Sequence, residues 1–391
     1  MGRDRIRSLV TALGVTVLVV VLAYLASTWG LAALGGSSAP RESGASVLPA
    51  TVENAPRSVG TTEQHGPLGA VSMVYAGTEV EAGLLGEVEN PWVAIGAQSG
   101  EYRAISAPDL PSAQPGAVAL SHGGDRLAWA TGDGVELYDP ATDTVRQVPL
   151  DGASRVGTFS PDGSLLAVHA DGLALLDLAS GDVVAEAGGT DPDAVRRAAW
   201  RADGSAVDYV QGTDLVTLPA DGAEPMRQPS PFDEASPLAW APTGEQLVAL
   251  QDDDGVRTLL AAPADGDGQL GEPQAVDTSG ISLEGLLGFS GEATVAVRAY
   301  LLESGNVERI LDVRLDGGTP VDVTTLPPQG ENWHGSSTLA ASGDALLSGS
   351  IDFDDAVWPW SYRSRLMACL LVGLFGLGLW LTRRRRSRRQ R

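Results

Sequence analysis

The stretch FSPDGSLLAV at Phe159–Val168 decides the fold, because related stretches return along the chain. Each copy has a large apolar residue, a tight turn containing Gly or Asp, and then an apolar strand. The other copies are LSHGGDRLAW from Leu120, WRADGSAVDY from Trp200, WAPTGEQLVA from Trp240, FSGEATVAV from Phe289 and LAASGDALLS from Leu339. Successive copies begin 39, 41, 40, 49 and 50 residues apart. Self-similarity at this period indicates an array of repeated structural units.

Each of the first units contains four short apolar segments separated by turn residues. In the second unit these segments lie at 156–160, 164–169, 173–178 and 183–187. Asp-Gly and Gly-Asp pairs separate them, and tight hairpins favour such pairs because they require positive φ angles. Four antiparallel strands in about 40 residues match one blade of a β-propeller. The sequence therefore predicts an all-β propeller.

The segments at Phe159 and Trp200 resemble the WD40-like repeats of TolB-type β-propellers, in which an aromatic residue precedes S/A-P-D-G and an apolar strand. The resemblance covers roughly Pro91–Phe353 and implies a propeller fold without implying one function. It departs from the eukaryotic WD40 pattern, because no GH…WD pair is present and Leu137-Tyr138-Asp139 occupies the usual WD position.

Six repeat starts predict six blades, and seven remain open. The last unit, from Ser336 to Phe353, has room for two strands, and the early hairpin Trp92–Ser106 has no partner of its own. Pairing these two halves would close the ring and remove an open sheet edge. The strand at Val71–Tyr75 has no predicted place.

Charge and cysteine content exclude several classes of protein. Between Gly35 and Val357 there are 49 acidic residues and 14 arginines, a net charge of −35. Such a domain repels phosphate, so we expect it to bind no nucleic acid. The single cysteine, Cys369, excludes an intramolecular disulfide framework and a CxxC motif.

Two apolar segments predict membrane spans. Leu9–Leu34 has 26 uncharged residues, enough for an uncleaved signal anchor, although the small residues Ala32–Ala39 leave cleavage open. Leu366–Leu381 has 16 apolar residues flanked by tryptophans and followed by seven arginines. Because arginines flank both segments on their outer ends, the positive-inside rule places both termini in the cytoplasm.

The sequence thus predicts a two-pass protein of a bacterial plasma membrane with its propeller outside. The predicted parts are a cytoplasmic N-terminus at 1–8, a transmembrane helix at 9–34, a flexible stalk at 35–67, an extracytoplasmic propeller at 68–357, a transmembrane helix with an aromatic flank at 358–382 and an Arg-rich cytoplasmic tail at 383–391. The tail is interpreted as an anchor at the inner leaflet.

No catalytic or metal-binding motif is found, and no cofactor or metal is expected. Asp252-Asp253-Asp254-Gly255 lacks the EF-hand spacing and is interpreted as a hairpin tip. Trp129, Trp200 and Trp240 are interpreted as packing between blades, with sugar stacking as the alternative.

Propeller ligands usually meet the loops between blades, and those loops supply the candidate binding residues. Trp333 and His334 lie side by side in a Gly-rich loop, where Trp333 either anchors a ligand or caps the last blade. The charged candidates in the other loops are Arg155, Arg196, Arg197, Asp233 and Glu234.

The predicted function is binding, as a sensor, scaffold or accessory subunit in the cell envelope. The predicted partners are an envelope protein or cell-surface ligand, and the lipid bilayer. The alternative is a hydrolase or lyase acting on cell-surface glycan. Clustered carboxylates or a His-metal site facing the central channel would favour the enzyme.

Overall fold

The computed structural model describes residues 46–55, 58–77, 79–82, 86–265, 268–302, 307–327 and 338–353, together with six positions between 366 and 376. The first part of the chain contains β1 (Leu48–Pro49), α1 (Thr62–His65), β2 (Val71–Ala76), β3 (Glu79–Ala82), β4 (Gly86–Glu89), β5 (Trp92–Gly96) and β6 (Tyr102–Ala104).

Five four-stranded antiparallel blades, II to VI, follow in sequence order. Blades II and III contain β7 (Ala119–Leu120), β8 (Leu127–Ala130), β9 (Gly134–Asp139), β10 (Thr144–Pro149), β11 (Arg155–Phe159), β12 (Leu165–His169), β13 (Gly172–Asp177) and β14 (Val183–Gly188). Helix α2 (Pro192–Arg197) leads into blade IV, which contains β15 (Ala199–Trp200), β16 (Ala206–Gln211), β17 (Asp214–Pro219) and β18 (Met226–Pro229). Blades V and VI contain β19 (Leu238–Trp240), β20 (Gln246–Asp253), β21 (Val256–Pro263), β22 (Gln274–Ala275), β23 (Ile281–Gly291), β24 (Thr294–Leu301), β25 (Glu308–Arg314) and β26 (Val321–Thr325).

The chain then returns through β27 (Ala340–Ala341), α3 (Gly343–Ser348) and β28 (Ser350–Ile351). Blade I has the strand order β27-β2-β5-β6, so one C-terminal strand joins three N-terminal strands. The predicted closure between the two chain halves is confirmed, with six blades. The expected two-plus-two division is wrong, because β2 takes the place between β27 and the Trp92–Ser106 hairpin.

A helix replaces the second strand that the last repeat was expected to contribute. The Ser342 side chain accepts a hydrogen bond from the Ala345 amide and caps α3, while Asp344 stands in its first turn. Gly349 follows at a φ of 77°, which suits a helix C-terminus. These local signals favour a helix although the sequence LAASGDALLS still resembles the other repeats.

The repeated turn has one geometry in the first four copies. Its glycine amide donates to the carbonyl three residues earlier at 2.8–2.9 Å, in Gly124, Gly163, Gly204 and Gly244. These glycines have φ angles of 69, 70, 72 and 74°, a region that residues with a Cβ seldom adopt. The shared conformation explains why glycine returns at this place in each of these copies of the motif.

The hydrophobic core is divided among the blade interfaces. Within the described residues, each of the six interfaces has its own cluster of buried side chains. Trp129 is fully buried between blades I and II. The Trp200 indole N–H donates to the Thr158 carbonyl of blade III at 2.9 Å, and Trp240 donates to Asp208 of blade IV at 2.8 Å. All three tryptophans therefore pack between blades, as predicted.

The described part of residues 46–66, here called the N-terminal clamp, lies along the outer edges of blades VI and I. Strand β1 pairs in parallel with β28, Thr51 bridges β26, and Thr61 bridges β6. Leu48 is fully buried in the cluster between these two blades. The prediction of a flexible stalk at 35–67 is therefore wrong for the described residues, because the clamp covers the seam where the ring closes.

Two buried tyrosines attach the clamp to blade I. The Tyr75 hydroxyl donates to the Glu53 carbonyl at 3.0 Å, and the Glu53 amide donates to the Tyr102 hydroxyl oxygen at 3.2 Å. Burial raises the pKa of Tyr102 to about 12 and raises the pKa of Tyr75 well above its usual value. Both phenols are thus held neutral inside the seam.

Both predicted membrane spans lie outside the described residues, except for the positions near 366–376. There Leu370, Leu371 and Leu374 are helical and exposed. Among the described residues, no helix has the length and apolar character needed to cross a membrane.

Candidate functional site

The blades surround a channel that widens into a cavity at each end. The first cavity has a volume of about 620 Å³ and lies where the innermost strands begin. The second has a volume of about 340 Å³ and lies where these strands end. Leu120, Thr158, Leu287 and Ala341 line both cavities, so they form the narrow part of the channel.

The larger cavity, here called the arginine mouth, holds much of the domain's positive charge. Its charged lining consists of Asp193, Arg196, Arg197, Asp252, Arg257, Glu284 and Arg298. Four of the 14 arginines of this acidic domain thus converge on one cavity. A concave site with a few convergent charged groups is the default candidate for ligand binding.

The first wall of the arginine mouth is built by α2. This helix begins at the cap residue Asp191, whose side chain accepts a hydrogen bond from the Asp193 amide, with Pro192 in its first turn. Arg196 and Arg197 stand in its last turn, where the helix dipole favours a cation.

The second wall comes from blades V and VI. The hairpin of β20 and β21 turns at Asp254 and Gly255, which both have positive φ, so the predicted hairpin tip is confirmed. Arg257 donates to Asp252 at 3.2 Å and to Glu284 of the next blade at 2.7 Å. These ion pairs fix the tip beside the mouth.

Arg298 lies deeper in this second wall. Its guanidinium donates to Glu308 at 3.1 Å, and Glu308 is almost fully buried. Burial lowers the pKa of Arg298, while the charges of Glu308 and Glu284 act in the opposite direction. The positive charge of Arg298 is therefore balanced by carboxylates inside the protein.

The predicted binding residues fall into three groups. Arg155 pairs with Asp193 at 2.8 Å, so it meets Arg196 and Arg197 at the arginine mouth. The exposed residues Asp233 and Glu234 precede Ala235, which lines the mouth. Trp333 and His334 lie outside the described residues.

Sequence reasoning missed five of the charged lining residues. Asp193 lies in α2, and the other four, Asp252, Arg257, Glu284 and Arg298, lie on strands of blades V and VI that the fold alone brings together. One signal was available: the interval after Trp240 is 49 residues instead of about 40, and the eight-residue strands β20 and β21 use part of that excess.

The smaller cavity, here called the aromatic mouth, has a different lining. Its aromatic residues are Phe159, Trp200, Trp240 and Phe289, all at repeat starts, with His122 at the edge. Helix α3 lies against it through Leu346 and Leu347. Among the described residues, no group of three or more His, Cys, Asp or Glu side chains is arranged to hold a metal.

Both ends of the domain lie on the face of the aromatic mouth. The Val47 amide donates to the Ala97 carbonyl at 3.3 Å, in the turn between β5 and β6. The Phe353 ring packs on Gly100 in the same turn, so closely that a Cβ there would collide with it. Since turns between third and fourth strands share a face with turns between first and second strands, the arginine mouth opens on the opposite face.

Comparisons with known proteins give only structural similarities. No protein-family model and no curated protein matches the chain. The chain is similar to hydrazine synthase of Kuenenia stuttgartiensis, with 17% identity, TM-score 0.40, and coverage of 54% of this chain and 64% of that chain. It is similar to TolB from Acinetobacter baumannii, with 14% identity, TM-score 0.46, and coverage of 70% and 66%.

A third similar structure is the Cps50 (Swd1) β-propeller domain of Myceliophteria thermophila, with 14% identity, TM-score 0.43, and coverage of 66% of this chain and 88% of that domain. The chain spans less than two thirds of the hydrazine synthase and Acinetobacter TolB chains. At these identities the similarity concerns the fold alone. The chain has the six-bladed β-propeller architecture that the resemblance of its repeats implied.

Proposed function

We propose that this protein is a two-pass membrane protein that presents its propeller outside the bacterial plasma membrane and binds an envelope protein or cell-surface ligand at the arginine mouth. The observation that carries the proposal is the position of this mouth. It is the larger cavity, it is lined by charged groups from several blades, and it opens opposite the face where the chain enters and leaves.

The position of the domain ends supports a membrane-held orientation. Eleven residues separate Leu34 from Ser46, and 12 separate Phe353 from Leu366. At about 3.3–3.6 Å per extended residue, such linkers keep the aromatic mouth within roughly 40 Å of the bilayer. The arginine mouth then faces away from the membrane, accessible to a partner.

The ion pairs at the mouth favour binding over the alternative glycan hydrolase or lyase. A glycoside hydrolase uses two carboxyl groups, one of which carries a proton to the leaving group. Each described carboxylate that lines the mouth is instead held by an arginine: Asp193 by Arg155, and Asp252 and Glu284 by Arg257.

The loop candidates extend this proposed surface. Asp233 and Glu234 would contact a partner at the rim. Trp333 and His334 precede Thr338 by a few residues in the sequence, and Thr338 lines the mouth. We therefore keep Trp333 as a proposed apolar anchor and His334 as its neighbour, beside the arginine cluster of Arg155, Arg196 and Arg197.

Labelling in intact cells tests the proposed topology. In a Cys369→Ser background, Ser43→Cys is expected to react with a membrane-impermeant maleimide, because residue 43 lies outside. Ser387→Cys is expected to react only after permeabilisation, because the arginines after the second span hold the tail in the cytoplasm. Reaction of Ser387→Cys in intact cells would contradict the two-pass topology.

A further inference from the structure

Two neighbouring arginines at the arginine mouth differ from the others in how they are paired. Arg196 is 3.6 Å from Asp193 and Arg197 is 3.7 Å from Asp191. Neither guanidinium donates a hydrogen bond to a described residue. Arg155, by contrast, lies 2.8 Å from Asp193 and uses the same carboxylate oxygen that Arg196 approaches.

The arginines that the structure describes in the second wall, by contrast, each have a carboxylate within hydrogen-bond distance. Arg257 is 2.7 Å from Glu284, and Arg298 is 3.1 Å from Glu308. A guanidinium has five N–H donors, and leaving them unused in a partly buried site costs free energy. The unsatisfied donors of the mouth are therefore concentrated at the end of α2.

Arg196 and Arg197 are also partly buried, so water satisfies their unused N–H donors less well than at the surface. The side chains of Arg196 and Arg197 are only 33% and 20% exposed. The Nε of Arg197 is buried and has no partner among the described residues. Burial lowers the pKa of Arg196, the charge of Asp193 acts in the opposite direction, and the charges of Arg155 and Arg197 lower the pKa further. Two cations held together without hydrogen-bonded counter-ions favour the arrival of an anion.

Two neighbouring residues, Gly116 and Thr158, favour the binding of such an anion. Arg196 packs on Gly116, where φ is 66° and an added Cβ would collide with the guanidinium. Deeper in the channel, the Thr158 hydroxyl is buried without a partner in the described part of the chain and can donate to an anion. The glycine thus positions Arg196, and the hydroxyl extends the set of unused donors into the channel.

We infer that the Arg196–Arg197 pair binds the carboxylate or phosphate group of a small anionic ligand in the arginine mouth. This inference rests on the proposed function, because it names the chemistry of a ligand for the same cavity. The size of about 620 Å³ accommodates a small molecule. The net charge of −35 disfavours a long anionic polymer, whereas one compact anionic group meets the local positive charge.

Titration calorimetry on the purified full chain in detergent, at low salt, tests the inference with two probes, citrate and pyrophosphate. At least one probe is expected to bind, more weakly as salt rises. Tighter binding of citrate identifies a carboxylate site, and tighter binding of pyrophosphate identifies a phosphate site. Arg196→Gln and Arg197→Gln are each expected to weaken binding at least about tenfold, because each removes charge-assisted hydrogen bonds.

Arg314→Gln is the matched control, because Arg314 is an exposed arginine paired with Asp316 at the surface. This variant is expected to bind as the unchanged protein does. The inference fails if neither probe binds, or if both α2 variants bind like the control. That failure is distinguishable from failure of the proposed function, since a partner can still be captured at the mouth without an anionic group.

Discussion

Replacing Asp208 with alanine is expected to lower the free energy of unfolding by about 3–5 kcal/mol, the range for breaking a buried ion pair. Asp208 is fully buried in β16 and accepts hydrogen bonds from three side chains. Arg201 donates at 2.9 Å, Trp240 of the next blade donates at 2.8 Å, and the Thr217 hydroxyl is the third donor.

Removing this carboxylate leaves the Trp240 and Thr217 donors buried and unpaired. It also leaves the charge of Arg201 uncompensated, although this guanidinium still stacks 5.6 Å from the centre of the Trp240 ring. Because Trp240 belongs to blade V, the loss weakens an interface between blades and not one blade alone. Chemical unfolding of the full chain, followed by tryptophan fluorescence, measures the effect.

Asp214→Ala is the matched control in the same blade. Asp214 forms an exposed ion pair with Arg227 at 3.8 Å, and exposed pairs contribute about 0–1 kcal/mol. Asp208→Asn keeps an acceptor for the Trp240 indole and is expected to lie between the two alanine variants. Equal stability of Asp208→Ala and Asp214→Ala would show that the buried cluster does not hold blades IV and V together.

Replacing Leu48 with aspartate is expected to destabilise the ring at its seam. Leu48 is fully buried in the cluster shared by the N-terminal clamp and blades I and VI. Truncating a buried leucine costs about 2–5 kcal/mol, and an unpaired carboxylate adds a desolvation cost. Limited proteolysis and chemical unfolding of the full chain measure the loss.

Val321→Asp is the control for this change, because Val321 lies in β26 of the same seam and is 59% exposed. It is expected to alter stability by less than about 0.5 kcal/mol, as exposed substitutions usually do. If Leu48→Asp is as stable and as resistant to protease as Val321→Asp, the clamp is not needed to close the propeller.

The propeller was predictable because its signal is local and repeated. The turn glycines, such as Gly163, require a positive φ, and each is followed by a short, nearly continuous apolar run such as Leu165–Val168, as in a buried strand. The same repeat pattern gives a wrong prediction in the last copy. There the Ser342 cap and Gly349 favour a helix, although the residues resemble those that form a strand in the other copies.

The clamp could not be predicted, because its stability comes from distant contacts. Leu48 follows Val47 and Val59 is isolated, both in a segment rich in Ser, Gly, Pro and Thr, yet both are fully buried against residues from blades I and VI. Composition indicates a linker in such a segment. Only the geometry of the closed ring identifies a surface for it to cover.

Only one wall of the candidate site could be predicted from the sequence. Arg196 and Arg197 lie in the connection between blades III and IV, where propeller ligands are expected, so their positions in the sequence indicated the arginine mouth. Arg257 and Glu284 reach the same cavity from different blades, across 27 residues of sequence. No spacing rule connects them, because the ring closure determines which strand ends meet.

The most direct test of binding at the arginine mouth is photo-crosslinking in intact cells from two positions on either side of β19. The photoreactive residue p-benzoylphenylalanine replaces Ala235, at the arginine mouth, or Glu245, an exposed residue on the opposite face. A covalent adduct is expected from position 235, with its yield reduced by Arg197→Gln, and none is expected from position 245. An adduct from position 245 with none from position 235 would contradict binding at the arginine mouth.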